Sequence, residues 1–326
     1  MSTSPVTVDV RLDRDALRLA LERDARAGLL AMPKTLPSVW FYDDVGSDLF
    51  DQITRLDEYY PTRAERALLV EHAHEIAVAT KAVTLVELGA GTCSKTPILL
   101  DALVGTGALR HYVAVDVAEA TLVEATSSLA ASYPDLEVTA TVGDFLHLDG
   151  LFAHEGPVLV AFLGGTIGNL EPTARHKFFA DLDAQLAHAD SFLLGCDLVK
   201  DRERLVHAYD DRAGVTAAFN RNVLLVLNRE LGANFDVEAF EHVAIFDEPH
   251  QWIEMRLRAT SPQRVTITQL GIEIAFEQGE EMRTEISAKF TPEGIAGELD
   301  RGGFVVDHQL GGANGEFLLT LSHPYC

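Results

Sequence analysis

The stretch from Thr84 to Thr96 reads Thr-Leu-Val-Glu-Leu-Gly-Ala-Gly-Thr-Cys-Ser-Lys-Thr, and it decides the fold. Its apolar first half predicts a buried parallel strand, and Gly89 and Gly91 predict a sharp turn that a ligand can approach closely before a helix begins. This order of elements forms the nucleotide-binding corner of α/β proteins. The turn lacks the third glycine of the dinucleotide fingerprint, because Ser94 stands there, and it lacks the ending of a phosphate loop. We therefore expect a different nucleotide.

Composition and charge narrow the classes of function. The chain has 326 residues, of which 47% are hydrophobic, which suffices for two cores. A net charge of −24 disfavours binding to nucleic acid or to anionic membranes. The polar N-terminus carries no signal pattern and no apolar run is long enough for a membrane span, so we expect a cytoplasmic protein. The three cysteines lack CxxC spacing, which predicts neither disulfides nor a zinc site.

Strand and helix patterns alternate through the middle of the chain and predict a doubly wound parallel sheet. The predicted strands are 84–88, 111–115, 137–142, 158–163 and 191–198. A long helix is expected to begin near Thr62, since Thr62 and Glu65 have capping-box spacing. Near the C-terminus, patterns at 304–309 and 316–321 predict a closing antiparallel hairpin.

A second module interrupts this alternation. Helical patterns at 201–211 and 213–231 precede strictly alternating runs at 242–246, 253–259, 265–276 and 282–289, which predict an antiparallel meander. We therefore expect one catalytic domain, 64–199 with 290–326, interrupted by an α+β insertion, 200–289. The N-terminal arm, 1–63, is expected to join the insertion.

Polar and aromatic residues follow the first three predicted strands in the order that an adenosyl ligand requires. Asp116 can accept hydrogen bonds from ribose hydroxyls, or it can cap the helix that starts near Ala118. Asp144 and Phe145 can contact the adenine amino group and ring. Lys95 can reach an anionic carboxylate on the ligand, or it can be an exposed helix lysine.

The fourth strand ends in Phe162-Leu-Gly-Gly-Thr-Ile-Gly-Asn169, and its glycines again admit a ligand to the backbone. Asn169 offers both a donor and an acceptor, as recognition of an amino acid needs. Alternatively, Asn169 only shapes the turn before Pro172.

Seven stretches of the chain carry a more specific resemblance. Glu87 before Gly-Ala-Gly resembles the first motif of class I S-adenosylmethionine-dependent methyltransferases. The seven stretches, spread over nearly the whole chain, are Trp40-Phe-Tyr-Asp-Asp-Val-Gly-Ser-Asp-Leu-Phe-Asp51, Glu58-Tyr-Tyr-Pro-Thr62, Glu87-Leu-Gly-Ala-Gly-Thr92, Phe162-Leu-Gly-Gly-Thr-Ile-Gly-Asn169, Asp197-Leu-Val-Lys200, Ala217-Ala-Phe-Asn-Arg-Asn222 and Thr284-Glu-Ile-Ser-Ala-Lys-Phe290. Together they resemble the L-histidine Nα-methyltransferases of ergothioneine biosynthesis. The chain departs from that pattern at Gly165, where serine is usual, and in its C-terminal hairpin.

The resemblance implies a Rossmann-like class I methyltransferase sheet and an inserted substrate domain. It also implies three methyl transfers from S-adenosylmethionine to the α-amine of histidine, which give hercynine and S-adenosylhomocysteine without a metal. By position, the contacts to S-adenosylmethionine fall on Gly89, Lys95, Asp116, Asp144 and Phe145. The contacts to histidine and its mono- and dimethyl forms fall on Tyr59, Gly164, Asn169, Tyr209, Glu285 and Ser287, with Tyr42 near the amine. We expect the enzyme to act as a monomer.

The residues implied for histidine binding also have simpler interpretations. Tyr59 and Tyr209 can be packing residues of the core. Glu285 and Ser287 are expected on one strand face, about 7 Å apart, opposite Met282 and Ile286, and that face can simply be solvated. A neutral imidazole has one donor and one acceptor nitrogen, however, and a carboxylate beside a hydroxyl complements both.

Methyl transfer needs an unprotonated amine aimed at the methyl group, so orientation is expected to supply much of the acceleration. We expect Asn169 and a backbone carbonyl near Gly164 to hold the amine, with Tyr42 facing the increasingly methylated ammonium. Three alternatives stay open at this point. They are a methyltransferase for another amino acid such as tryptophan, a non-catalytic adenosyl-binding protein, and a nicotinamide-dependent oxidoreductase.

Overall fold

The computed structural model describes residues 6–12, 14–152 and 155–325. The strands are β1 (Thr7–Val10), β2 (Lys34–Thr35), β3 (Thr84–Leu88), β4 (His111–Asp116), β5 (Glu137–Val142), β6 (Val158–Phe162), β7 (Ser191–Asp197), β8 (Phe240–Asp247), β9 (Trp252–Ala259), β10 (Gln263–Ile267), β11 (Ile272–Phe276), β12 (Glu281–Ala288), β13 (Phe304–Gly311) and β14 (Phe317–Pro324). The α-helices are α1 (Arg14–Leu30), α2 (Asp44–Ile53), α3 (Pro61–Thr80), α4 (Thr96–Gly105), α5 (Glu119–Ser132), α6 (Pro172–Asp183), α7 (Arg202–His207), α8 (Val215–Leu231) and α9 (Pro292–Arg301). Short 3-10 helices lie at Ser38–Phe41, Thr166–Asn169, Val237–Ala239 and Thr268–Leu270. Within the described ranges, no helix has the length and apolar character to cross a membrane.

The chain forms two compact units. The first unit holds the described residues of Met1–Leu12, Pro61–Val199 and Lys289–Cys326. The second unit holds those of Asp13–Tyr60 and Lys200–Ala288.

The first unit is built on an eight-stranded sheet in the order β1-β5-β4-β3-β6-β7-β14-β13. The strands from β1 to β7 in this order pair in parallel, whereas β14 runs antiparallel to both β7 and β13. Every residue of β3 and β6 is buried, because helices cover both faces of a doubly wound sheet. The predicted parallel sheet and its closing antiparallel hairpin are confirmed.

The start of the N-terminal arm lies in the first unit, so the expectation that the whole arm joins the insertion is wrong. Strand β1 pairs in parallel with β5, from Thr7 opposite Thr139 to Val10 opposite Val142. Three of its four side chains are exposed, so its attachment depends on backbone hydrogen bonds at the sheet edge. Val6, Val8, Val10 and Leu12 alternate with polar residues, so the sequence carries a short strand pattern here, although Val8 and Val10 are exposed.

The second unit contains a four-stranded sheet in the order β2-β12-β9-β8 and a separate hairpin of β10 and β11. The prediction of one strand over 265–276 is therefore wrong. Gly271, with φ of 61°, and a 3-10 turn separate the two strands. The buried side chains are Val265 and Ile267 before the turn, but Ile274 and Phe276 after it. This change of phase in the alternation marks the turn.

Candidate active site

The glycine turn after β3 is fixed by the carboxylate at the end of β4. Gly89 and Gly91 have φ of 67° and 51°, in the left-handed region that favours glycine. Asp116 accepts hydrogen bonds from the Gly91 N–H through Oδ2 (2.8 Å) and from the Ala118 N–H through Oδ1 (2.9 Å). Asp116 thus closes a turn before α5, whose N-cap residue is Ala118, and it also holds the glycine turn. Burial raises the pKa of Asp116, and the backbone donors oppose that effect.

Glu87 lies beneath this turn as a buried anchor. It accepts hydrogen bonds from Thr96 Oγ1 (2.6 Å) and from the Tyr112 hydroxyl (2.8 Å), and these join β3 to α4 and β4. Burial raises the pKa of Glu87, while its two hydroxyl donors lower it. Cys93 is also buried, and burial raises the pKa of its thiol to about 12, so the thiol stays protonated at neutral pH. Cys93 is therefore a packing residue of the turn.

Lys95 does not extend into solvent, since its ammonium forms an ion pair with the fully buried carboxylate of Glu65. The same carboxylate accepts the Gly164 N–H at 2.7 and 3.0 Å through its two oxygens. The capping-box interpretation of Glu65 is wrong, because α3 begins at Pro61 and the side chain points into the unit. Sequence reasoning missed Glu65 as a site residue, although its spacing to Leu68 and Leu69 places it on the apolar face of α3.

A second glycine turn follows β6, directly beside the first. Gly164 and Gly165 have φ of 79° and 69°, so both adopt the left-handed backbone conformation that favours glycine. A Cβ added to Gly164 would lie 3.8 Å from Lys95 Nζ. The turn leads into the 3-10 helix that ends at Asn169. The structure therefore brings Gly164, Lys95 and Glu65 together at one edge of the sheet.

Asp144 and Phe145 lie at the end of β5, on the same edge. Asp144 Oδ1 accepts the Leu146 N–H at 2.9 Å. The partly exposed Phe145 ring packs on the Phe162 ring, with centroids 5.0 Å apart. This loop is also hydrogen-bonded to the end of β4, because the Gly143 N–H donates to the Asp116 carbonyl at 2.9 Å.

In the second unit, the tyrosines named by the resemblance belong to one aromatic group. Tyr42 packs against Phe50 and Phe219, with ring centroids 5.7 and 5.6 Å apart. Tyr59 contacts Phe50 at 6.2 Å and Tyr209 at 6.1 Å, in edge-to-face geometry. Tyr59 and Tyr209 are 7% and 8% exposed, so both contribute to the core as their simpler interpretation predicted.

Tyr209 also joins this aromatic group to β12, because its hydroxyl lies 2.7 Å from Ser287 Oγ. Glu285 and Ser287 share a face as expected, and both are buried rather than solvated. The expectation that Met282 lies on the opposite face is wrong. A bulge between Arg283 and Glu285 shifts the register, so Met282, Glu285 and Ser287 all pair with odd-numbered residues of β9.

The glycine turn after β3 has space beside Gly91 for a ligand. A Cβ at Gly91 would meet nothing within 4 Å. Each Asp116 oxygen that accepts one backbone N–H keeps a further lone pair for a ribose hydroxyl. Within the described part of the chain, no cluster of three or more histidine, cysteine or acidic side chains could hold a metal ion.

Almost the whole chain matches a family of known proteins. The family described as "Histidine-specific methyltransferase, SAM-dependent" matches residues 21–324. The chain belongs to this family. Among its relatives is the "Histidine N-alpha-methyltransferase" of Mycolicibacterium smegmatis, 52% identical over 95% of this chain and 97% of that protein. The protein of the same name from Mycobacterium tuberculosis is 51% identical over 91% of this chain and 93% of its own length.

A solved S-adenosylmethionine-dependent methyltransferase from Clostridium acetobutylicum is similar with a TM-score of 0.49 and 13% identity, over 85% of this chain and 98% of that chain. The sheet order of the first unit and the membership of the family are what identify the class I methyltransferase fold. Membership of a histidine-specific methyltransferase family excludes the nicotinamide-dependent oxidoreductase.

Proposed function

We propose that this chain transfers methyl groups from S-adenosylmethionine to the α-amino group of L-histidine, three times, giving hercynine. The observation that carries the proposal is the match of almost the whole chain to the histidine-specific methyltransferase family. Both named relatives are Nα-methyltransferases of histidine, and they align with more than nine-tenths of this chain. Mono- and dimethylhistidine are intermediate substrates in this proposal, and the chain acts as a monomer.

The residues of the first unit are proposed to bind the methyl donor. When bound, S-adenosylmethionine supplies an electrophilic methyl group on its sulfonium. Asp116 accepts the ribose hydroxyls, while Asp144 and the partly exposed Phe145 ring hold the adenine. Lys95 has three N–H donors and gives one to Glu65, so it can donate to an additional carboxylate. The turn at Gly89 allows the backbone to approach the ligand closely.

The residues of the second unit are proposed to select histidine. Glu285 and Ser287 present a carboxylate and a hydroxyl on one buried face, which complements the two ring nitrogens of an imidazole. Tyr59 and Tyr209 are proposed to bond the substrate carboxylate through their hydroxyls. An amino acid whose side chain lacks the donor and acceptor of an imidazole does not complement Glu285 and Ser287, and such a mismatch discriminates strongly.

The amine is proposed to be held by Asn169 and by the Gly164 carbonyl. The lone pair of the unprotonated amine must point along the line of displacement, so fixing its direction is the main catalytic contribution of these groups. The Glu65 carboxylate accepts the Gly164 N–H, which belongs to the peptide unit before the one that carries the Gly164 carbonyl, and this contact holds the start of the turn. The face of the Tyr42 ring is proposed to stabilise the positive charge that builds on the methylated nitrogen.

Mass spectrometry of products tests this function. The protein is incubated with S-adenosylmethionine and an equimolar mixture of the common amino acids. We expect trimethylhistidine, with mono- and dimethylhistidine at early times, and trimethylhistidine as the product when dimethylhistidine is supplied alone. Methylated tryptophan or another amino acid in place of histidine would redirect the substrate assignment, and no methylated product at all would support a non-catalytic adenosyl-binding protein.

A further inference from the structure

Helix α8 carries the segment Phe219-Asn220-Arg221-Asn222, which belongs to the family resemblance but has no part in the binding roles assigned above. The Asn220 side chain is fully buried, with 0% exposed. A buried primary amide is costly unless its donors and acceptor are satisfied, so its partners show what this residue holds in place.

Asn220 links three strands of the second unit. Its amide nitrogen donates to the Arg256 carbonyl at 3.0 Å and lies 2.8 Å from His242 Nδ1. Its amide oxygen accepts from Thr284 Oγ1 at 2.6 Å. The Arg256 carbonyl can only accept and therefore fixes which end of the amide is nitrogen. One side chain thus joins α8 to β8, β9 and β12.

His242 extends the network to Tyr209. The Asn220 nitrogen can only donate, so Nδ1 of His242 must accept and the proton of the neutral ring sits on Nε2. That Nε2–H donates to the Tyr209 carbonyl at 2.8 Å. The chain of bonds from Asn220 through His242 therefore fixes the backbone that carries the Tyr209 hydroxyl.

The network forms a closed ring around the proposed histidine-binding groups. One branch runs from Asn220 through His242 to Tyr209. The other runs from Asn220 to Thr284, which precedes Glu285 on β12. The hydrogen bond between the Tyr209 hydroxyl and Ser287 Oγ joins the two branches at 2.7 Å. A shift of Asn220 or His242 would therefore change the spacing between the groups that bind carboxylate and imidazole.

We propose that Asn220 and His242 are positioning residues that set the distance between Tyr209 and the Glu285–Ser287 pair, and thereby the affinity for L-histidine. The inference rests on the proposed function, since it assigns those three residues to the substrate. Neither Asn220 nor His242 contacts substrate in this proposal. Their effect is expected in histidine binding and not in binding of the methyl donor, because misplacement of binding groups by about 1 Å is enough to cost a large factor in rate or affinity.

A matched pair of asparagines on α8 tests the proposal. Asn228 also holds its side chain by two hydrogen bonds, donating to the Phe235 carbonyl (2.9 Å) and accepting the Phe235 N–H (2.8 Å). We expect Asn220→Ala to raise KM for histidine about tenfold or more, with the Kd for S-adenosylmethionine unchanged. Asn228→Ala is expected to lower Tm while leaving both constants within about twofold of wild type, because distant sites act independently.

A second pair of variants decides the matter if Asn220→Ala does not fold. The side chain of glutamine keeps one acceptor and one donor on two atoms bonded to the same carbon, as in the neutral histidine ring. Alanine keeps neither. His242→Gln is therefore expected to retain histidine binding that His242→Ala loses. Equal histidine binding by wild type, Asn220→Ala and His242→Ala would overturn the positioning role alone. Failure of the wild-type chain to bind histidine in the same calorimetric titration would overturn the proposed function together with this inference.

Discussion

The two units present their proposed binding residues in different ways. In the first unit, Gly89, Asp116 and Asp144 lie at or just after the carboxyl ends of neighbouring strands of one parallel sheet, so their order along the chain is also their order along the sheet edge. In the second unit, Tyr59 follows α2, Tyr209 follows α7 and Glu285 lies within β12. A site at parallel strand ends can be recognised from spacing. A site assembled from separate elements cannot, since each residue alone also fits a packing role.

If the first unit binds the methyl donor through its strand ends, the largest effect should come from Asp116→Ala. The substitution removes the acceptor for two backbone N–H groups and for the ribose, so we expect a loss of about 3 kcal/mol, roughly 150-fold, in binding of S-adenosylmethionine. Isothermal titration calorimetry measures the change. As a control, Asp135→Ala alters an exposed carboxylate of the same unit and should bind normally. Unchanged binding of S-adenosylmethionine by Asp116→Ala would contradict the assignment of the methyl donor to the strand ends of the first unit.

A substitution in the second unit is expected to affect binding of histidine and not binding of the methyl donor. Glu285→Ala should weaken binding of L-histidine by about 2 kcal/mol, roughly 30-fold, because a charge-assisted hydrogen bond to the imidazole is lost. Binding of S-adenosylmethionine should stay unchanged in the same calorimetric titrations. Glu273→Ala removes an exposed carboxylate paired with Arg264 and serves as the control. Equal loss of both ligands in Glu285→Ala would contradict the separate assignment of the two units.

The same contrast explains what the sequence could and could not predict. The parallel sheet, its hairpin and the strand-end series were predictable, because buried parallel strands give continuous apolar runs. Strand β1 was missed although Val6, Val8, Val10 and Leu12 alternate with polar residues, because the run is short and its partner β5 lies more than 100 residues further along the chain. The bulge before Glu285 was missed because one extra residue in a pairing leaves no compositional signal. Glu65 was missed because its spacing to Thr62 suits a helix cap, whereas the structure uses its buried carboxylate to hold Gly164 and Lys95.

Gly195→Ala tests whether that buried carboxylate is as confined as the structure indicates. A Cβ at Gly195 would lie 2.2 Å from Glu65 Oε1 and 3.2 Å from the Phe317 ring, so one of them must move. We expect a loss of stability on the order of 1 kcal/mol, seen as a lower Tm. Gly105→Ala is the control, because a Cβ there meets nothing within 4 Å and alanine favours a helix. An unchanged Tm in Gly195→Ala would show that the Glu65 carboxylate is free to shift.

The smallest expected effect concerns His242 and the dependence of stability on pH. Burial lowers the pKa of His242 below its ordinary 6.5, and Asp210, Asp211 and Arg221 are the charged groups that also act on it. Below pH 6.5 the histidine at 242 therefore binds a proton more readily in the unfolded chain than in the folded chain. The contribution of neutral His242 to stability is thus fully present above pH 6.5, and it is lost as the pH falls through the pKa of His242 in the folded chain. Protonation of Nδ1 would also set an N–H against the Asn220 amide nitrogen. We expect Tm of the wild type to fall more steeply below pH 6.5 than that of His242→Gln, which keeps the hydrogen bonds but cannot titrate. Parallel curves of Tm against pH for the two proteins would show that protonation of His242 does not destabilise the fold. The hydrogen bond between Asn220 and His242 Nδ1 would then not depend on the neutral ring, contrary to the network described above.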